Sequence, residues 1–143
     1  MRIKINGLDT NYTCSGPENT TDPMETVLLL HGWGVDSATL EPLRAHLSTI
    51  CRAVSLDLPG FGDTESPPTA WTVFEYGDFV EAFIQKLSLD DPILLGHSFG
   101  GRLSIILGSR GVGKKLILTD AAGILPKRSC KYYLRVYSYK LAK

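Results

Sequence analysis

Four short apolar segments, separated by stretches with helical periodicity, constrain this chain more than any other feature. Val27–Leu30 is apolar without a break, and Arg52–Leu56, Pro92–Leu95 and Lys115–Thr119 are strand-sized runs of similar character. A strand without polar alternation is buried on both faces, which happens where helices cover both sides of a parallel sheet. The intervening segments supply those helices. Ser37 is placed to cap one reaching about Thr49, with Leu40, Leu43 and Leu47 on one face and Pro42 asking for a bend or a late start. Thr72 is placed to cap a longer one to about Leu87, with Phe79, Phe83, Ile84 and Leu87 as its buried stripe. A third spans about 99–109, where Gly108, Gly111 and Gly113 break it. Arg2–Ile5 and Leu8–Thr13 read as a leading hairpin around Asn6-Gly7, Ser15–Glu25 as a loop, and Ser129 as the cap of a final helix after Pro126. The alternation of strand and helix predicts an α/β fold with a doubly wound, mostly parallel sheet.

Two strand ends carry chemistry. Gly96-His97-Ser98-Phe99-Gly100 fits G-x-S-x-G and stands between a strand and a helix, with Gly101 beside it. Small residues two before and two after the serine let strand and helix approach closely. The Ser98 oxygen then projects at the carboxyl edge of the sheet, above a helix N-terminus that favours developing negative charge. His31-Gly32-Trp33-Gly34 follows the first buried strand, and its glycines leave backbone N–H groups free to face an oxyanion. The Trp33 N–H, paired with the Phe99 N–H beside the nucleophile, is the expected donor set. The bland alternatives are glycine-rich turns that join strands to helices.

Together with Asp57-Leu58-Pro59-Gly60-Phe61-Gly62, these motifs resemble the α/β-hydrolase family in order and spacing, over essentially residues 1–125. Thr119-Asp120-Ala121-Ala122-Gly123 is similar to the strand end that follows in such enzymes. The resemblance implies a serine hydrolase of the esterase or C–C hydrolase type, acting on a small ester or related acyl substrate without a cofactor. Relatives with an aspartate nucleophile fit less well, because Ser98 stands in that place. The resemblance also implies a division into the N-terminal core of an α/β-hydrolase domain at 1–126 and the start of a cap or lid at 127–143.

The departure from the family is that no histidine follows Ser98; the three histidines are His31, His46 and His97. A serine hydroxyl needs a general base, and the family order is nucleophile, acid, histidine. The expectation is an α/β-hydrolase fold lacking its C-terminal strands and catalytically incomplete as this chain. His97 is expected to line the site, His31 to order the oxyanion loop, and His46 to lie at the surface. Asp120, the only acid after Ser98, reads as structural, and Asp57 as a cap for loop N–H groups. A non-catalytic, truncated binding or interaction domain is the competing reading. An uncovered sheet edge would then favour a homo-oligomer or a complementing chain. A dinucleotide-binding domain is a weaker third, since Gly32-Trp33-Gly34-Val35-Asp36-Ser37 puts Ser37 where the third glycine belongs.

Composition narrows the rest. The 143 residues carry 15 basic and 15 acidic side chains, with 43% hydrophobic residues, which fits one globular domain rather than a disordered tail. No apolar run has membrane-spanning length and no secretory signal is visible, so no membrane partner and a cytoplasmic location are expected. Cys14, Cys51 and Cys130 are odd in number and widely spaced, as reduced thiols without a metal site would be. Charge is divided: residues 1–97 hold 5 basic and 14 acidic residues, and residues 98–143 hold 10 and 1. Three readings account for this: a basic segment that seeks nucleic acid or an anionic membrane surface, two halves that attract one another within one fold, or a chain that stops before the residues balancing the segment. The interleaved Tyr132, Tyr133, Tyr137 and Tyr139 with Lys131, Arg135, Lys140 and Lys143 read as a lid helix, and no nucleic-acid partner is expected.

Overall fold

The structure, a computed structural model, describes residues 1–17, 24–124 and 129–141, without the side chains of 136 and 139–141. The chain runs β1 (Arg2–Ile5), β2 (Leu8–Ser15), β3 (Thr26–Leu30), α1 (Glu41–Leu47), β4 (Arg52–Leu56), α2 (Val73–Lys86), β5 (Ile93–His97), α3 (Phe99–Ser109), β6 (Lys115–Thr119) and α4 (Cys130–Leu141). The six strands form one sheet in the order β1-β2-β4-β3-β5-β6. From β4 to β6 all neighbours are parallel, while β1 and β2 are antiparallel additions at one edge. This is the mostly parallel sheet that the apolar runs predict.

The register brings Leu28 level with Val54 and Leu94, and Leu30 level with Leu56 and Gly96. Side chains alternate across a strand, so each strand feeds two cores. On one face Leu28, Leu30, Val54, Leu56 and Leu94 meet Phe79, Val80 and Phe83 of α2 and Leu103 and Leu107 of α3. On the other, Val27, Leu29, Ala53 and Leu95 meet Leu40 and Leu47. Phe79, Phe83 and Ile84 of the expected α2 stripe are buried, Leu87 is partly buried at the C-cap, and Tyr76 and Val80 join them. A capping box starts that helix, with the Thr72 side chain bonded to the N3 amide and Glu75 to the Thr72 amide.

Several expectations need correction. β2 continues to Ser15, because Thr13, Cys14 and Ser15 still find partners in Ser55, Val54 and Ala53 of β4. The first helix is divided: a 3-10 turn, Ser37–Leu40, is capped by the Asp36 side chain, and α1 then begins with Pro42 in its first turn. Pro42 thus produces the late start, and Asp36 rather than Ser37 is the cap. β5 starts at Ile93 and runs through Gly96 and His97. Gly108 stays within α3, where a Cβ would meet the Leu116 side chain at 2.8 Å; the missing side chain lets β6 lie against the helix. β6 has its predicted bounds but is not buried on both faces.

The opposed charges of the two halves meet. Arg110 pairs with Asp78 at 2.8 Å and Glu81 at 3.0 Å, and Lys114 pairs with Glu25. The three cysteines are free thiols. Among the described residues no helix is long and apolar enough to cross a membrane, and no three His, Cys, Asp or Glu side chains gather as a metal site. The boundary expected at 126/127, with Pro126, lies outside the described residues, as do Lys143 and the side chains of Tyr139 and Lys140.

Candidate active site

The end of β5 shows what the local sequence imposes. Ser98 has φ 50° and ψ −108°, a left-handed backbone conformation that side-chain-bearing residues rarely adopt. Holding such a residue there costs about 1–3 kcal/mol, so the surroundings must enforce it. They do so from both sides. The Ser98 N–H donates to the Thr119 carbonyl of β6 at 3.1 Å, and the Ser98 carbonyl accepts from Arg102 and Ala122 at 3.2 and 2.9 Å. The turn is tight because Gly96 and Gly100 flank it. A Cβ on Gly96 would collide with the Gly100 carbonyl, and one on Gly100 with the Leu30 carbonyl of β3. The amide of Phe99 opens α3, where an N–H has no carbonyl of its own helix to meet.

The loop after β3 lies against this turn. A Cβ on Gly32 would sit 3.4 Å from the Ser98 Cβ and 3.2 Å from His97 Nδ1. Trp33 follows, and its amide donates to no group among the described residues. Trp33 is 62% exposed, and its ring stands edge-on to Phe61, Tyr76 and Phe99, at centroid distances of 4.9, 6.0 and 5.1 Å. Tyr76 also meets Phe99 and Trp71, and its hydroxyl donates to the Pro59 carbonyl at 3.2 Å. Burial pushes the Tyr76 phenol up. This aromatic wall escapes sequence reading because its members come from four separate segments; only helical spacing marks Tyr76 as inward-facing.

Two buried polar side chains hold the loop. His31 is fully buried, and its Nε2 accepts the Leu58 N–H at 2.9 Å. An amide only donates, so that nitrogen is bare and the proton sits on Nδ1, which donates to the Gly32 carbonyl at 2.7 Å. Burial lowers the His31 pKa, against smaller upward effects of the Gly32 bond and of Asp57 and Asp36. Asp57 accepts from Asn11 Nδ2, from the Ser37 N–H and from the Asp63 N–H, all near 2.9–3.0 Å. Burial pushes that carboxyl up, but these hydrogen bonds outweigh it and keep it below the usual carboxylate range. Asp57 is thus the loop cap the sequence suggests.

Ser98, Trp33 and Phe99 therefore come together at the carboxyl end of the sheet. His46 is exposed on α1; Asp120 is exposed just after β6 with φ 45°, between Thr119 and Ala122, both of which hydrogen-bond to Ser98.

This arrangement has relatives. The 2-(acetamidomethylene)succinate hydrolase of Mesorhizobium japonicum is 32% identical over 84 residues, 59% of this chain and 30% of that protein. The pimeloyl-[acyl-carrier protein] methyl ester esterase of Shewanella woodyi is 38% identical over 77 residues, 54% of this chain and 27% of that protein. A crystal structure of a membrane phospholipase A superposes with a TM-score of 0.81 at 27% identity, covering 97% of this chain and 44% of that one. The chain thus spans less than half the length of each. The sequence model for the alpha/beta hydrolase family matches residues 27–137, from β3 into α4, and takes in every motif just described. This chain belongs to the alpha/beta hydrolase family.

Proposed function

We propose that Ser98 is the nucleophile of a serine hydrolase acting on a small ester or related acyl substrate. The observation that carries this reading is the backbone of Ser98, held at positive φ between β5 and α3 with the Gly32 loop against it. In the reaction Oγ attacks the acyl carbon while a base takes its proton, and the Trp33 and Phe99 amides hold the resulting oxyanion. Collapse expels the alcohol and leaves an acyl-serine, which water then cleaves. Two relatives bear the names hydrolase and methyl ester esterase, in keeping with this chemistry.

The base is not within these 143 residues. No histidine follows Ser98. His31 has both ring nitrogens engaged and no solvent access, His46 is on an exposed helix, and His97, one residue before Ser98, sets its ring against Gly32. The histidine and its acid come from residues outside this chain, in the same protein or a partner, and α4 belongs to a cap over the site. The edge of β6 that no strand among the described residues pairs with is where such residues, or a second copy, join the sheet.

Intact-mass analysis after incubation with p-nitrophenyl acetate and added imidazole tests the assignment. An acetyl group on Ser98, absent from Ser98→Ala, is expected, with turnover near the buffer blank when imidazole is omitted. No adduct overturns the nucleophile and supports a non-catalytic binding domain, which the missing histidine also favours. Rapid turnover without imidazole that Ser98→Ala abolishes overturns the incompleteness.

A further inference from the structure

His31 sits one peptide unit from an amide that the proposed function uses. In a trans peptide the carbonyl and the following N–H lie in one plane and point in opposite directions. The Gly32 carbonyl and the Trp33 N–H belong to the same unit. By drawing the Gly32 carbonyl to its Nδ1–H at 2.7 Å, the buried imidazole turns the Trp33 N–H away from the protein interior. The imidazole is itself fixed by the Leu58 N–H, and the His31 carbonyl accepts the Gly100 N–H at 3.0 Å. The same ring thus ties β3's end to the loop after β4, while its backbone ties to the start of α3.

We infer that His31 is the positioning residue of the Trp33 amide, working through its neutral Nδ1–H tautomer, and that protonating its ring releases that amide. A second proton on Nε2 would face the Leu58 N–H, donor against donor, so the ring must leave Leu58 or turn. The charged groups around it are Asp57, at the end of β4, and Asp36, before the 3-10 turn; both favour the protonated ring, and burial opposes it. Phe61 packs edge-on against the ring at 5.7 Å and carries no charge, and the His97 ring of β5 lies against Gly32. The significance of the released amide rests on the oxyanion role proposed above, but the coupling itself does not require catalysis.

The test is therefore spectroscopic, on the whole chain. Nitrogen-15 NMR of the imidazoles is expected to show His31 as the Nδ1–H tautomer at pH 7.5, the opposite of free histidine's preference. On acidification the His31 ring, the Leu58 amide and the Trp33 amide are expected to shift together, with one midpoint below 6.5, the ordinary imidazole value. His31→Asn keeps a donor at the Nδ1 position and His31→Gln an acceptor at the Nε2 position. The asparagine variant is expected to leave the Trp33 amide resonance in place and remove its titration, and the glutamine variant to displace it. A generic space-filling role predicts no such split. An Nε2–H tautomer, a Trp33 amide that ignores the His31 titration, or equal displacement in both variants would overturn the inference. The wild-type titration decides the matter even if neither variant folds, and it does so whether or not Ser98 is acylated.

Discussion

β3 and β6 flank the same strand, β5, in the same parallel direction, and each is five residues long with an apolar centre. Every residue of β3 is buried, whereas in β6 Leu116 is 37% and Ile117 40% exposed. The difference lies in what covers them. β3 has strands on both sides and feeds both cores, through Leu28 and Leu30 on one face and Val27 and Leu29 on the other. β6 has β5 on one side and α3 against it at Gly108, and among the described residues no strand pairs with its other edge. Yet β6 still holds the site, because the Thr119 carbonyl accepts the Ser98 N–H. An apolar strand reports that a surface is meant to be covered; it does not report whether the cover is present.

The largest expected contrast is between truncations in the two strands. Leu28→Ala is expected to cost about 2–5 kcal/mol in urea unfolding, because a fully buried leucine leaves a cavity. Ile117→Ala is expected to cost less than about 1 kcal/mol, since much of its side chain already meets water. Equal losses would show that β6 is covered in solution.

Gly100→Ala probes the other tie between β3 and the turn at Ser98. Its methyl would run into the Leu30 carbonyl, a backbone atom with nowhere to retreat. A loss of about 3 kcal/mol is expected by the same measurement, in the upper range for overpacking. A neutral outcome would show that α3 is free to lift from the sheet.

Ser98→Gly should act in the opposite direction. Removing the Cβ relieves the positive-φ strain, for an expected gain of about 1 kcal/mol, reduced by the greater freedom of glycine in the unfolded chain. A loss would mean that the serine side chain contributes contacts outweighing the strain.

The subtlest difference is between the two strand ends. β3 runs into His31, which is buried, and β6 into Asp120, which is exposed. Above pH 6.5 His31 is neutral in both folded and unfolded chains. As pH falls below 6.5 the unfolded chain takes up a proton that the folded chain resists, so stability declines until the lowered folded pKa is passed. Below 3.8 Asp57 adds a second decline, since the unfolded carboxyl protonates before the folded one does. Urea midpoints measured across this range are expected to show the first step in the wild type and not in His31→Asn.

The site's individual parts are visible in the sequence to different degrees. Ser98, Gly96 and Gly100 are legible because a strand-to-helix turn of that tightness admits few residues, and the structure shows the backbone collisions that exclude others. Asp57 is legible as a loop cap because a carboxylate before Pro59 and Gly60 has turn amides nearby, though its bond to Asn11 of β2 is not. The aromatic wall of Trp33, Phe61, Tyr76 and Phe99 is invisible, since ring contacts between distant segments leave no spacing signal. The tautomer of His31 is likewise set by the Leu58 amide, which arrives from the loop after β4.

By itself the sequence determined the strand and helix alternation, the parallel sheet and the position of the tight turn at Ser98, because these follow from periodicity and from glycines within a few residues of one another. The tertiary structure alone decided which apolar strand is buried, which side chains wall the site and which histidine nitrogen carries the proton. Each of those depends on a neighbour brought in from far along the chain, and hydrophobic pattern and spacing carry no record of it.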